Sequence, residues 1–350
     1  MRDRWRTTAG TAALFGVFIL AGGAFADEEK KVLEVGKWYP SLESGLNFTQ
    51  SSYSDNWSGG DKGSLVWAFI TNGQLESRLK PSVNWKNQLK LAFGQTHQQV
   101  VRDDKSRGWD RPEKSTDLVD FETVFRFTLG WIVDPYVSGR FESQFQDVTD
   151  PAGRTINFNP LKFKESGGVA RQFMMTEERE LLSRIGFTFR QSNRRFFEYP
   201  DSLALGDGTT GESTNDGGLE WVTDYKTKVL EDKVTWTSKL SLYQPVFYSF
   251  SDRLDALPGD ALTLAGLPSD VSDYPMALDV DWENIFSTQI TSYLSVNLYL
   301  RWLYDKYDNT VPPVLDENDD LGNGPDVLAA IRKAGQFKQT MSIGLTYRFL

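Results

Sequence analysis

Apolar and polar residues alternate at every second position, connections run long and short in turn, and the final amphipathic segment has no later partner. Together these predict an all-β chain. The fold class they define is a closed antiparallel up-and-down transmembrane β-barrel of about twelve strands behind an N-terminal signal peptide. The last segment shows the reasoning most plainly. Phe337, Met341, Ile343, Leu345, Tyr347 and Phe349 fall on one face, with Gln339 the only break. Lys338, Thr340, Ser342, Gly344, Thr346 and Arg348 fall on the other. A strand at the end of the chain must pair backwards or leave a long open edge, which promotes aggregation. In lipid, unpaired amides have no solvent to satisfy them, so closure is obligatory.

The N-terminus carries an export pattern. Arg2, Arg4 and Arg6 form a basic region, residues 11–20 a short apolar run, and Ala24-Phe25-Ala26 a small-x-small cleavage site, so residues 1–26 are expected to be a signal peptide. The apolar run is too short for a membrane-spanning helix. Residues 27–40 form a polar leader and 41–350 the barrel. Removing residues 1–26 takes away three arginines and Asp3, which moves the formal charge from −10 to −12. So acidic a chain is a poor nucleic-acid ligand. It contains no cysteine, which excludes disulfides, thiolate metal sites and covalently attached haem. Aromatic residues make up 13%, a high share for a chain of negative mean hydropathy and one suited to interfacial girdles.

Strand-like segments are expected near 41–51, 63–79, 83–97, 117–131, 134–147, 167–175, 180–196, 218–230, 233–248, 275–287, 292–304 and 335–349. In the fourth, Phe121, Phe125, Phe127 and Leu129 oppose Asp120, Glu122, Arg126 and Thr128. In the fifth, Val137, Phe141 and Phe145 oppose Arg140, Glu142 and Gln144. In the eleventh, Leu294, Val296, Leu298 and Leu300 oppose Ser295, Asn297, Tyr299 and Arg301. Short turns near Pro81, Val133, Thr176–Arg179, Glu231-Asp232 and Thr288–Thr291 alternate with long polar connections at 52–62, 98–116, 148–166, 197–217, 249–274 and 305–334. That alternation is expected of a barrel with periplasmic turns and mobile outside loops. Trp85, Trp131, Trp236 and Trp282 are assigned to the short-turn girdle, and Trp67, Trp221 and Trp302 to the long-loop girdle.

Two resemblances add to this. Ser342, Gly344, Tyr347 and Phe349 resemble the C-terminal signal by which Gram-negative outer-membrane proteins reach their barrel-assembly machinery, although Leu350 follows the last aromatic. That implies the assembly machinery as a partner during biogenesis and the outer membrane as location, and the N-terminal pattern at residues 1–26 implies export through the Sec pathway. Asn56-Trp57-Ser58-Gly59-Gly60, the run from Asn84-Trp85-Lys86-Asn87 to Gly94, Gln144-Phe145 and Phe158-Asn159-Pro160 resemble an uncharacterised outer-membrane barrel family known mostly from Bacteroidetes-type bacteria. The likeness covers roughly 40–200. It implies a barrel and brings no activity.

The wet face of each strand is expected to line the lumen. The candidates are Lys86, Lys90, Glu122, Arg126, Arg140, Glu142, Arg184, Arg190, Asp224 and Arg301. Buried charges of both signs must be paired or hydrated. They form either a network that plugs the bore or the wall of a narrow aqueous channel, and about twelve strands fit either. The leading expectation is passive passage of small solutes. A structural or interaction barrel whose long loops bind a partner or lipopolysaccharide is the alternative. A lipid hydrolase is a weaker one, since the single histidine, His97, has no marked serine beside it. No enzyme activity, cofactor or metal is expected. Asp316–Asp320, with Gly322 and Gly324, lacks the spacing of a calcium loop. Arg102, Lys105, Arg107, Arg111 and Lys114 in the third-to-fourth connection are offset by Asp103, Asp104, Asp110 and Glu113.

Overall fold

A computed structural model describes residues 33–51, 63–101, 107–150, 152–176, 178–197, 208–315, 321, 323–332 and 334–348. The signal peptide, most of the leader, Asn56–Gly60, Arg102, Lys105, Asp316–Asp320, Phe349 and Leu350 lie outside the described residues. Twelve strands form the wall: β1 Trp38–Ser51, β2 Ser64–Lys80, β3 Val83–Val101, β4 Glu113–Phe127, β5 Asp134–Ser143, β6 Leu161–Met175, β7 Glu180–Phe197, β8 Thr209–Val229, β9 Val234–Tyr248, β10 Asp279–Gln289, β11 Leu294–Tyr304 and β12 Gln336–Arg348. Each pairs antiparallel with its neighbours in sequence, and β12 returns to β1. The closing seam runs from Glu43↔Arg348 to Asn47↔Gly344. At its upper end Gly344 lies against the Asn47 side chain so closely that a Cβ would overlap it, which is why the seam needs glycine there. The barrel is therefore closed and up-and-down, as the alternation predicted.

The turns at one rim are tight. Leu230, Glu231 and Asp232 all take positive φ, a left-handed run within the short turn that reverses β8 into β9. Thr176 and Arg179 close the β6–β7 turn through a backbone bond of 2.7 Å and a hydroxyl bond of 2.9 Å. Several segment limits differ from the sequence reading; β5, for one, ends at Ser143, so Gln144 and Phe145 lie past it. β4 ends at Phe127, so Leu129 and Trp131 sit in the turn, where Gly130 takes φ +78°. β6 starts at Leu161, and β8 starts at Thr209. The added part of β8, Thr209–Gly217, is Thr, Gly, Ser, Glu, Asn and Asp with no apolar face, so its strand is dictated by pairing with β7 and not by local propensity.

The outer face is apolar. Leu46, Phe69, Phe121, Val137, Phe187, Ile343 and Leu345 are all exposed on the wall. Glu165 and Arg171 on β6 break the pattern. They share the face of Phe163, Val169 and Phe173, and the Arg171 guanidinium lies 5.1 Å from the Phe173 ring centre. Aromatic clusters mark the short-turn rim: Trp38, Trp85 and Phe125 pack with centroid distances of 5.3 and 5.2 Å, and Trp236 stacks on Phe286 at 5.7 Å. Trp282 pairs directly with Trp302 in the ladder, so it belongs to the long-loop girdle. The sequence reading misplaced it because β10 begins, not ends, near Trp282. Trp221 stands in mid-wall opposite Ile185 and gives its indole N–H to Ser183.

The long-loop rim carries the largest surprise. The β9–β10 and β11–β12 connections, expected to be mobile surface, fold into a cap. It contains α1 Ser251–Asp255, α2 Gly259–Leu264, a 3-10 turn Val271–Met276 and α3 Gly324–Ala330. Tyr248, Leu254, Leu257, Leu267, Tyr307, Val327 and Ala330 form its apolar core. Val327 is fully buried.

Candidate functional site

The strand alternation that greases the outside sends charge inward, and the bore is narrow enough for side chains from opposite walls to meet. Glu122 on β4 accepts from Arg184 on β7 at 3.0 Å with one oxygen and from Lys239 on β9 at 2.8 Å with the other. Lys90 on β3 reaches Glu283 on β10 at 2.8 Å, and Tyr299 donates to the second Glu283 oxygen at 3.0 Å. Arg190 on β7 bridges Asp216 at 2.6 Å and Asp279 on β10 at 3.0 Å. Glu122 with Arg184 and Lys239, Lys90 with Glu283, and Arg190 with Asp279 join strands three or more apart in the wall, so those bonds cross the lumen, whereas Tyr299–Glu283 and Arg190–Asp216 join adjacent strands. Lys86 and Glu180, 3.5 Å apart, form a further crossing.

Other pairs hug the wall. Arg140 forms a two-pronged contact with Asp120 at 2.7 and 3.0 Å and touches Glu142 at 3.3 Å. Arg301 grips Asp281 in the same way at 2.8 and 2.9 Å. Lys164 binds Glu220, which also accepts from Thr188 at 3.0 Å. Arg126 donates to Gln172 at 2.6 Å. Planar guanidinium–carboxylate forks hold both groups in fixed orientation, which suits a crowded bore.

The ion pairs divide the lumen into two polar chambers. The one near the short-turn rim has a volume of about 300 Å³, and Lys86, Glu122, Arg126, Arg184 and Asp224 line it. The one beneath the cap has about 270 Å³ and is lined by Arg140, Glu142, Arg190 and Arg301 among others. Lys90 lies at the partition through its bond to Glu283. Sequence reasoning passed over Glu283, although it continues the parity of Asp279 and Asp281. It passed over Lys164 and Asp216 because β6 and β8 start earlier than their apolar pattern suggests. Asp305 and Asn309, from the cap's base, carry no sequence signal at all.

His97 falls on the same outer face as Leu91 and Phe93, opposite Leu65 in the ladder, and so faces away from the chambers. Among the described residues no group of three or more metal-ligating side chains comes together. Beneath the cap, burial pushes the Asp305 carboxyl up to about 7, and Asp279 and Asp308 add to the rise. Burial acts the same way on Asp308, but the Lys162 ammonium and the Thr310 donors overcome it and hold that carboxyl below its ordinary value. Thr310 supplies both its hydroxyl, at 2.7 Å, and its backbone N–H, at 3.1 Å.

A closed sheet with an apolar exterior, aromatic girdles at both rims and a hydrated, ion-paired bore defines a membrane-spanning β-barrel of the outer-membrane type. A family model described as a protein of unknown function (DUF3078) matches residues 48–147, from the end of β1 to just past β5. Phe158-Asn159-Pro160 lies beyond that match. No curated protein matches the chain. Among solved structures, the COG4313 outer membrane channel from Pseudomonas putida F1 is similar at 9% identity, covering 93% of this chain and 100% of that one, with a TM-score of 0.36. The translocator domain of the autotransporter NalP from Neisseria meningitidis is similar at 8% identity, covering 89% and 88%, with a TM-score of 0.36. Likenesses this distant carry nothing about activity.

Proposed function

We propose that the chain is exported through the Sec pathway to a Gram-negative outer membrane and there passes small polar solutes through a narrow bore, closed at mid-height in the state described. The observation that carries this reading is the nature of the barrier. The side chains of Glu122, Arg184, Lys239, Lys90 and Glu283 bond across the bore between strands that are not neighbours, and polar chambers of about 300 and 270 Å³ lie in the same bore. A rotamer change moves a side chain in nanoseconds where exposed, whereas a backbone plug must unfold. Arg184 has a second carboxylate, Asp224, at 3.4 Å, so its guanidinium can exchange partners without being left unpaired. The purified protein in a planar bilayer should give discrete conductance steps, and Arg126→Gln with Arg140→Gln should shift its ion preference. Absence of any step above the lipid background would remove the passage reading.

One observation favours a second reading. The long-loop cap has its own apolar core, a feature suited to presenting a rigid surface to a partner or to lipopolysaccharide. If wild-type protein and a Glu122→Gln variant are both silent in the bilayer, the structural or interaction role is the one left.

A further inference from the structure

The chamber beneath the cap carries more carboxylate than its cations can use. Seven carboxylates and five basic side chains line it. Each basic side chain is already engaged: Arg140 by Asp120, Lys164 by Glu220, Arg190 by Asp216 and Asp279, Arg301 by Asp281, and Lys162 by Glu142 at 3.9 Å. Asp308 has Arg332 at 3.5 Å. Asp305 has no cation within salt-bridge reach among the described residues, and its hydrogen-bond neighbour is another acid, Asp279.

A second observation is independent of the charge count. Asn309 is 7% exposed and lines the same chamber. Its amide nitrogen is committed to the Pro275 carbonyl at 3.3 Å, and its Oδ1 finds no donor in the protein. The Ser192 hydroxyl, also 7% exposed and on the chamber wall, is likewise without a partner. A buried acceptor left unmade costs free energy that a ligand donor would recover.

We propose that this chamber is a binding site for a small organic cation bearing a primary ammonium group, held by the carboxylates of Asp305 and Asp279 and the carbonyl of Asn309. A primary ammonium has three N–H donors in a compact head, which suits three convergent oxygens. A volume of about 270 Å³ admits a small alkylamine and leaves space for water. The inference deepens the solute-passage reading by naming the class of solute, yet the site can be tested without any conductance.

The protein folded in detergent is titrated by calorimetry at pH 8 with n-propylammonium chloride, and in parallel with sodium propionate, sorbitol and tetramethylammonium chloride. Propylammonium should bind with saturable heat at pH 8, where the Asp305 carboxyl is ionised. The other three probes should give no saturable heat. Asp305→Asn should weaken binding about tenfold or more, as expected for loss of a charged hydrogen bond, and Asn309→Ala should weaken it less. Retention of the compact, heat-modifiable gel band shows that each variant folds. The proposal is overturned if propionate or sorbitol binds as well as propylammonium, if tetramethylammonium matches it, if Asp305→Asn leaves affinity unchanged, or if no probe binds. Binding without conductance would sustain the site and end the passage reading, while conductance without binding would end the site alone.

Discussion

Glu122 is the position where one substitution tests both the partition and its energetics. Its carboxylate holds Arg184 and Lys239 from two other walls, and all three side chains are largely buried, at 12%, 5% and 21% exposure. At an effective dielectric constant near 20, unit charges about 3–4 Å apart attract by roughly 4 kcal/mol, an upper bound before desolvation is charged against it. Removing one partner of a buried pair strands the other charge, which costs about 3–5 kcal/mol. Two facts reduce that figure here. Arg184 keeps Asp224 at 3.4 Å, and the Lys239 side chain retains 21% of its exposure. Glu122→Gln should therefore destabilise the barrel by about 2–3 kcal/mol in urea-induced unfolding in detergent. Glu122→Gln with Lys239→Met should cost less than the sum of the single changes, with a coupling energy of about 2 kcal/mol. In a bilayer the single variant should conduct more often than wild type, because its two cations repel and part. A coupling energy below about 0.5 kcal/mol, together with unchanged conductance, would show that the crossing pairs neither hold the bore shut nor hold the walls together.

Other outcomes follow from the same geometry. The Asp305 carboxyl sits above its unfolded value, so its contribution to stability is complete below about pH 4 and is lost as pH rises through about 7, when it ionises beside Asp279 and Asp308 with only Arg190 and Arg332 to offset it. The protection of the α3 amides, with the intrinsic pH dependence of exchange divided out, should consequently be lower at pH 8 than at pH 6, and Asp305→Asn should remove the difference. Gly168 and Gly186 face each other across β6 and β7, and a Cβ on either would overlap the backbone of the opposite strand; Gly186→Val should abolish the heat-modifiable band on refolding. Val327→Asp places a charge in the centre of the cap core and should open the cap to protease while the barrel stays folded, since the cap packs on itself and the wall is closed by its own ladders.

The cap and the bore show where sequence reading succeeds and where it stops. The period of two was visible wherever one face is lipid and the other water, as in β4, β5, β11 and β12. It failed at Thr209–Gly217, where both faces are wet and only the ladder to β7 makes a strand. It also failed in the cap. Leu254, Leu257, Leu262 and Leu267 follow no helical period, and helices of 5 and 6 residues are too short to stand out from loop composition.

The chain's local order fixes which way each side chain points, because alternation along a strand is a covalent property of the backbone. From it came the twelve staves, the closure, the greasy exterior and the identity of most inward charges. Which charge meets which was settled only by the closed cylinder, since Glu122 and Lys239, or Lys90 and Glu283, are brought together by the circumference and tilt of the wall and by nothing in their spacing along the chain. The same holds for Asp305 and Asn309, two loop residues that became part of a chamber because the connection carrying them folds back over the bore.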